Sequence, residues 1–164
     1  MRFLHPMNKF FWRLLLSGYM MVCLSAWAGP LKVGDAVPAI AAKDQHGVAF
    51  QFTNGVHFLL VVTEMACSQA ANQKLAVAGA GFLEQHQAAY LMDIHTMPAV
   101  ARLFALPKIR KYPYRIVLVE TAEALAAFPA QPGRVTVLAL TPERRVQTIR
   151  YWNPAHEPLV DLLK

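Results

Sequence analysis

Five apolar residues, Phe58–Val62, run without interruption and are rich in β-formers, the pattern of a central strand covered on both faces. Residues 63–66 then read as a turn, and Cys67 and Ser68 as the mouth of a helix whose packed face is Ala71, Leu75 and Ala78, at i, i+4 and i+7. Gly79 and Gly81 end that helix, and residues 82–87 form a short polar connection to a second buried strand over 88–94. Strand, helix and strand at this spacing make a β-α-β unit with a right-handed crossover and parallel pairing.

Thr96 is placed to cap a further helix with Pro98 in its first turn, and Met97, Val100, Leu103 and Phe104 are expected as its inner face. Pro107 is expected to stop it, and Lys108, Arg110 and Lys111 form a basic loop. Tyr112, Pro113, Tyr114 and Arg115 lead into a third buried strand over 116–119, followed by a short helix over 121–128 and a turn at Gln131-Pro132-Gly133. Two alternating runs, Val135–Leu140 and 145–151, flank a Pro-containing turn and predict a β-hairpin. Residues 156–163 predict a last helix that docks Leu159, Val160, Leu162 and Leu163. Ahead of all this, Gly34-Asp35, Pro38 and the turn Asp44-Gln45-His46-Gly47 precede an alternating Val48, Phe50, Phe52, so the N-terminal part reads as a β-hairpin.

The first 28 residues change how the composition is read. Arg2, Lys9 and Arg13 stand with no acids, an apolar run follows from Leu14, and Ala26-Trp27-Ala28 closes it. This is the make-up of a secretory signal peptide, with cleavage expected after Ala28. Residues 14–28 fall short of the ~20 apolar residues of a membrane span, so no stable span is expected after cleavage. Lipidation of Cys23 is disfavoured by the bulky Val22 before it. The chain carries a formal charge of +6, but thirteen Lys and Arg stand against ten Asp and Glu in residues 29–164, too mild an excess to argue for nucleic acid. Removing the leader also leaves Cys67 as the single cysteine, which excludes a disulfide scaffold in a compartment that permits one.

The order V-G-D-x-x-P at 33–38, D-Q-x-G at 44–47, an alternating run and then a buried strand resembles the opening of the periplasmic thioredoxin-like and peroxiredoxin-like superfamily. The segment D-I-x-x-x-P-A-V-A-R-L-F-A followed by Y-P-Y is similar to the thioredoxin pattern in which a helix leads to a cis-proline and the next strand, with Pro113 matching that proline. The resemblance spans residues 31–164. It implies one α/β domain over 29–164, with a central mixed β-sheet flanked by helices and an N-terminal β-hairpin extension. It also implies a groove around Met65, Ser68, Tyr112, Pro113 and Tyr114 of the kind that redox members use to hold a peptide.

The redox pair itself is missing. Aligned on the strand end, the two C-x-x-C positions fall on Ala66 and Gln69; slipped by one, Cys67 takes the nucleophile position and Ala70 replaces the resolving thiol. Dithiol exchange needs both thiols. Cys67 alone keeps two readings, a small helix-start residue that happens to be cysteine, or a nucleophile favoured by the helix N-terminus and opposed by Glu64. The peroxiredoxin spacing T-x-x-C is also absent, since Thr63 gives T-x-x-x-C. His46, His57, His86, His95 and His156 show no metal or haem spacing, no nucleotide-binding glycine motif occurs, and no cofactor is expected. Asp93 ends a strand, where it more often caps a turn than acts on a substrate. The expectation is a non-enzymatic exported protein that binds an envelope protein or peptide, with a single-cysteine thiol-redox or peroxide-handling enzyme acting through Cys67 as the alternative.

Overall fold

The computed structural model describes residues 29–52 and 55–164; the leader over 1–28 lies outside the described residues. Six strands form one sheet: β1 (Lys43–Asp44), β2 (Phe58–Val62), β3 (Ala88–Asp93), β4 (Val117–Val119), β5 (Val135–Leu140) and β6 (Val146–Trp152), in the order β1-β4-β3-β2-β5-β6. Parallel pairing joins β2, β3 and β4, whereas β5 lies antiparallel to β2 with Leu59 opposite Leu138. β2 is therefore central, as its unbroken apolar run predicts. Alternate residues enter two separate layers, Leu60 and Val62 on one side, Leu59 and Val61 on the other.

The first layer packs under α1 (Met65–Ala78) and α3 (Ala99–Ile109), and the second under α4 (Ala122–Leu125) and the N-terminal segment carrying Leu31, Val37, Ile40 and Phe50. Two right-handed crossovers in the same direction, β2 to β3 and β3 to β4, require their helices to share a face. The residues of both layers come from the chain beyond residue 30. No helix of the described residues is long and apolar enough to cross a membrane.

Several local expectations shift. α1 begins two residues earlier than its apolar spacing suggests, because Glu64 is extended and uses no side-chain cap. Its buried face is Cys67, Ser68, Ala71, Asn72 and Leu75, while Ala78 is exposed. Gly79 closes it at φ 100°, a conformation suited to glycine, and Gly81 instead opens a short helix, α2 (Phe82–Gln85), that buries Leu83. Thr96 does not cap α3, whose N-cap is the extended Pro98. Pro107 does not stop it either; the helix runs on to Ile109, with the exposed Pro107 carrying no N–H for the Leu103 carbonyl.

The inner face of α3 is the main correction. Met97 and Ile109 are buried and Ala101, Ala105 and Leu106 pack on the core, whereas Val100, Leu103 and Phe104 are 67 %, 72 % and 69 % exposed. The predicted hairpin over 135–151 is present, and the last helix is only a 3-10 turn, Leu159–Leu162, that buries Leu159 and leaves Val160 exposed. The N-terminal hairpin is reduced to the turn at 44–47 and one bridge, Lys43 to Ala49.

That turn is anchored by the motif residues themselves. The Asp44 carboxylate accepts the N–H groups of His46 (3.0 Å) and Val48 (2.9 Å) and pairs with the Arg115 guanidinium at 3.1 Å. The buried Gln45 amide donates to the Tyr114 carbonyl (2.7 Å) and accepts from the Ile116 N–H (2.8 Å), so it extends the β1 pairing beside β4.

Candidate functional site

The parallel strands point their C-terminal ends at one rim of the sheet, and that rim is where α1 starts. Met65, the first helical residue, is 51 % exposed. Ala66 and Gln69, the two positions a C-x-x-C pair occupies in the strand-end alignment, both face solvent. Cys67 falls between them on the wheel's other side and is 5 % exposed, packed in the layer with Leu60, Val62 and Ala71. One residue of register thus moves the thiol from the rim into the core.

The surroundings of that thiol oppose ionisation. Burial raises its pKa, and the Glu64 carboxylate raises it further. The polar side chains beside it belong to Ser68, Asn72, Tyr90 and Tyr114, all buried. Tyr90 is fully buried and its hydroxyl makes no hydrogen bond of good geometry among the described residues, although the Ser68 side chain lies near enough to ease its ionisation. Burial holds its ionisation well above the usual phenol range, with Tyr114, Cys67 and Tyr112 adding to the effect and Ser68 easing it. Neutral phenols and a carboxylate supply no positive charge to stabilise a thiolate.

The expected groove is not assembled as one surface. Tyr112 and Tyr114 stack with ring centres 5.4 Å apart, and the Tyr114 hydroxyl donates within reach of both the Asn72 carbonyl (3.0 Å) and the Asn72 side-chain oxygen (3.1 Å), which ties the β4 lead-in to α1 from beneath. Tyr114 is itself buried, and with Tyr112 and Pro113 it lines a cleft of about 250 Å³ beside Asp44 and Gln45, away from Met65 and Ser68. Pro113 is exposed but precedes β4, at the opposite rim from Met65, since β4 runs parallel to β2. There it borders a cleft of about 330 Å³ together with Leu83, Glu84, Ala88 and Arg115. Met65 and Ser68 stay together at the start of α1, with Ser68 turned inward.

The proline that does flank the rim of α1 is Pro132. β5 is the strand antiparallel to β2, and the turn before it brings the Gly133 N–H to the Glu64 carboxylate at 3.0 Å. The sequence signal was the Gln131-Pro132-Gly133 turn directly before an alternating run. All peptide bonds among the described residues are trans, so Pro113 does not reproduce the cis-proline that the resemblance implies.

At the same rim, Asp93 ends β3 and accepts both the His95 backbone N–H (2.8 Å) and the His95 ring at Nδ1 (2.7 Å), so it caps a turn and orients the imidazole. No hydrogen bond joins His95 to Cys67, which leaves this pair without a nucleophile to serve. Among the described residues no group of three or more His, Cys, Asp or Glu side chains is placed to hold a metal ion.

Neither a protein-family model nor a curated protein matches the sequence. Solved structures do share its chain path. The thioredoxin domain of a thiol-disulfide oxidoreductase from Bacteroides vulgatus superposes with a TM-score of 0.55 at 11 % identity, covering 82 % of this chain and 99 % of that one. A peroxiredoxin-like protein from Aquifex aeolicus gives 0.54 at 14 % identity, over 83 % and 86 %. A thio-disulfide isomerase from Thermus thermophilus gives 0.53 at 18 % identity, over 81 % and 95 %. Likeness at this identity speaks of fold and not of activity. The chain has a thioredoxin-like fold of the kind shared by thiol-disulfide oxidoreductases and peroxiredoxins, and it lacks the C-x-x-C pair.

Proposed function

We propose that this chain is an exported thioredoxin-like protein without dithiol chemistry, a binding or accessory protein of the cell envelope. One observation carries the reading: Cys67, the sole cysteine of residues 29–164, is packed in the core at 5 % exposure while Ala66 and Gln69 hold the rim. Thiol exchange needs an accessible thiolate and a second thiol to resolve the mixed disulfide. Export rests on the charged, then apolar, then A-x-A leader over 1–28. The partner is an envelope protein or peptide, and the face offered to it at the α1 rim is Met65 with the Pro132-Gly133 turn, in place of a groove built on Tyr112 and Tyr114.

The alternative is a single-cysteine peroxide-handling enzyme, supported by the position of Cys67 in the first turn of α1, where a helix N-terminus favours a thiolate. Peroxide consumption driven by an external thiol separates the two. Residues 29–164 and their Cys67→Ser variant are expected to show equal background rates. Turnover in the parent that the serine variant lacks would replace the binding reading with the enzymatic one.

A further inference from the structure

α3 turns its larger apolar side chains to solvent. On a wheel of about 100° per residue, Val100, Leu103, Phe104 and Pro107 form one outward stripe, opposite the buried Ile109. Lys108 and Arg110 fall on its two flanks, and Lys111 follows just beyond the helix end. All seven are exposed. None of the three cations is in an ion pair among the described residues, although Arg110 donates to the Gln45 carbonyl. From residue 94 to 119 the sequence holds five Lys and Arg and no Asp or Glu; Arg115 pairs with Asp44 and Arg102 turns to the Ile94 and Met97 carbonyls, which leaves Lys108, Arg110 and Lys111 as the charge of this face.

We infer that the outer face of α3 is a docking surface for an anionic lipid bilayer, lying in the headgroup region with Leu103 and Phe104 inserted and Lys108 and Lys111 on the phosphates. An apolar stripe flanked by cations on one helix is the arrangement that binds such an interface. The surface is a ridge, and the clefts lined by Leu118, Leu83, Tyr112 and Leu159 do not reach Val100, Leu103 or Phe104, so none of those clefts gives it a pocket for a partner's side chain. A bilayer receives a ridge without one. A second copy docked face to face would bring like charges together, which disfavours a symmetric dimer. Insertion is shallow: Pro107 has no N–H for the Leu103 carbonyl, which must keep water or a headgroup donor. The inference is independent of the proposed function and holds with or without thiol chemistry.

Vesicle co-sedimentation tests it with residues 29–164, which hold the whole sheet and both apolar layers. The probes are phosphatidylcholine alone and phosphatidylcholine with about one third phosphatidylglycerol. Binding is expected only to the anionic vesicles, falling as salt is raised. Each cation near such a surface adds about fivefold, so the Lys108→Gln, Lys111→Gln pair should weaken binding about 25-fold at low salt. Leu103→Ser with Phe104→Ser should weaken it at least about tenfold, with unchanged circular dichroism because both positions are exposed. Equal binding to neutral vesicles, no binding, or binding indifferent to both variants would overturn the assignment. So would self-association, or capture of an acidic protein, that the serine pair abolishes while vesicle binding is absent.

Discussion

Gln45→Ala removes a side chain that does the work of a strand. Its amide satisfies the Tyr114 carbonyl at 2.7 Å and the Ile116 N–H at 2.8 Å, where Tyr114 is 3 % and Ile116 0 % exposed. Truncation leaves one acceptor and one donor buried without partners. Each such group costs about 1–3 kcal/mol, so the pair is expected to cost roughly 2–6 kcal/mol. Against a domain stability of about 5–15 kcal/mol that is a large share. Urea unfolding of residues 29–164 reads it directly, because Trp152 is the sole tryptophan of that span, is fully buried, and donates to the Glu157 carbonyl at 3.0 Å. The midpoint should fall with an unchanged slope. Gln45→Met, which restores volume but neither hydrogen bond, should fall with the alanine variant. An alanine variant within about 0.5 kcal/mol of the parent, or a methionine variant that recovers most of the loss, would refute the hydrogen-bond reasoning in favour of packing.

Two tyrosines make a contrasting pair. Tyr114→Phe loses a bonded hydroxyl and should cost about 1 kcal/mol, whereas Tyr90→Phe removes a buried hydroxyl without a hydrogen bond of good geometry and should be neutral or stabilising by a similar amount, both read by urea unfolding. Asp44 sets an acid limb. Burial pushes its pKa up, but the Val48 and His46 N–H groups and Arg115 outweigh this, and the folded value is lowered. Its stabilising effect is therefore present above the unfolded value of about 3.9 and lost as pH falls through the folded one. Asp44→Asn should be less stable at neutral pH, with the gap closing as unfolding is measured from about pH 5 down to about pH 3.

The strands were legible because burial on both faces writes an unbroken apolar run, as in Phe58–Val62, and because β-formers dominate Val135–Leu140, which is also covered on both faces. The orientation of α3 was not. Its sequence is apolar nearly all round, and the residues against the sheet are the small Ala101 and Ala105, so side-chain size pointed to the wrong face. Nor did local sequence separate Pro113 from Pro132. Both precede an apolar strand, and which of them flanks β2 is decided by the pairing of β2 with β5, more than seventy residues apart. The start of α1 was obscured because the Glu64 carboxylate accepts from Gly133 and caps nothing in its own helix, so no local signal marked the one-residue register that turns Cys67 inward.

The rate of alkylation of Cys67 against pH, in native residues 29–164, is the most direct test of a thioredoxin-like fold whose thiol is structural. The reaction should be slow at neutral pH, should accelerate only above the ordinary thiol pKa of about 8.5, and should become fast when urea exposes the side chain. Rapid native alkylation titrating below about pH 7, with sulfenic acid formed on adding peroxide, would contradict it.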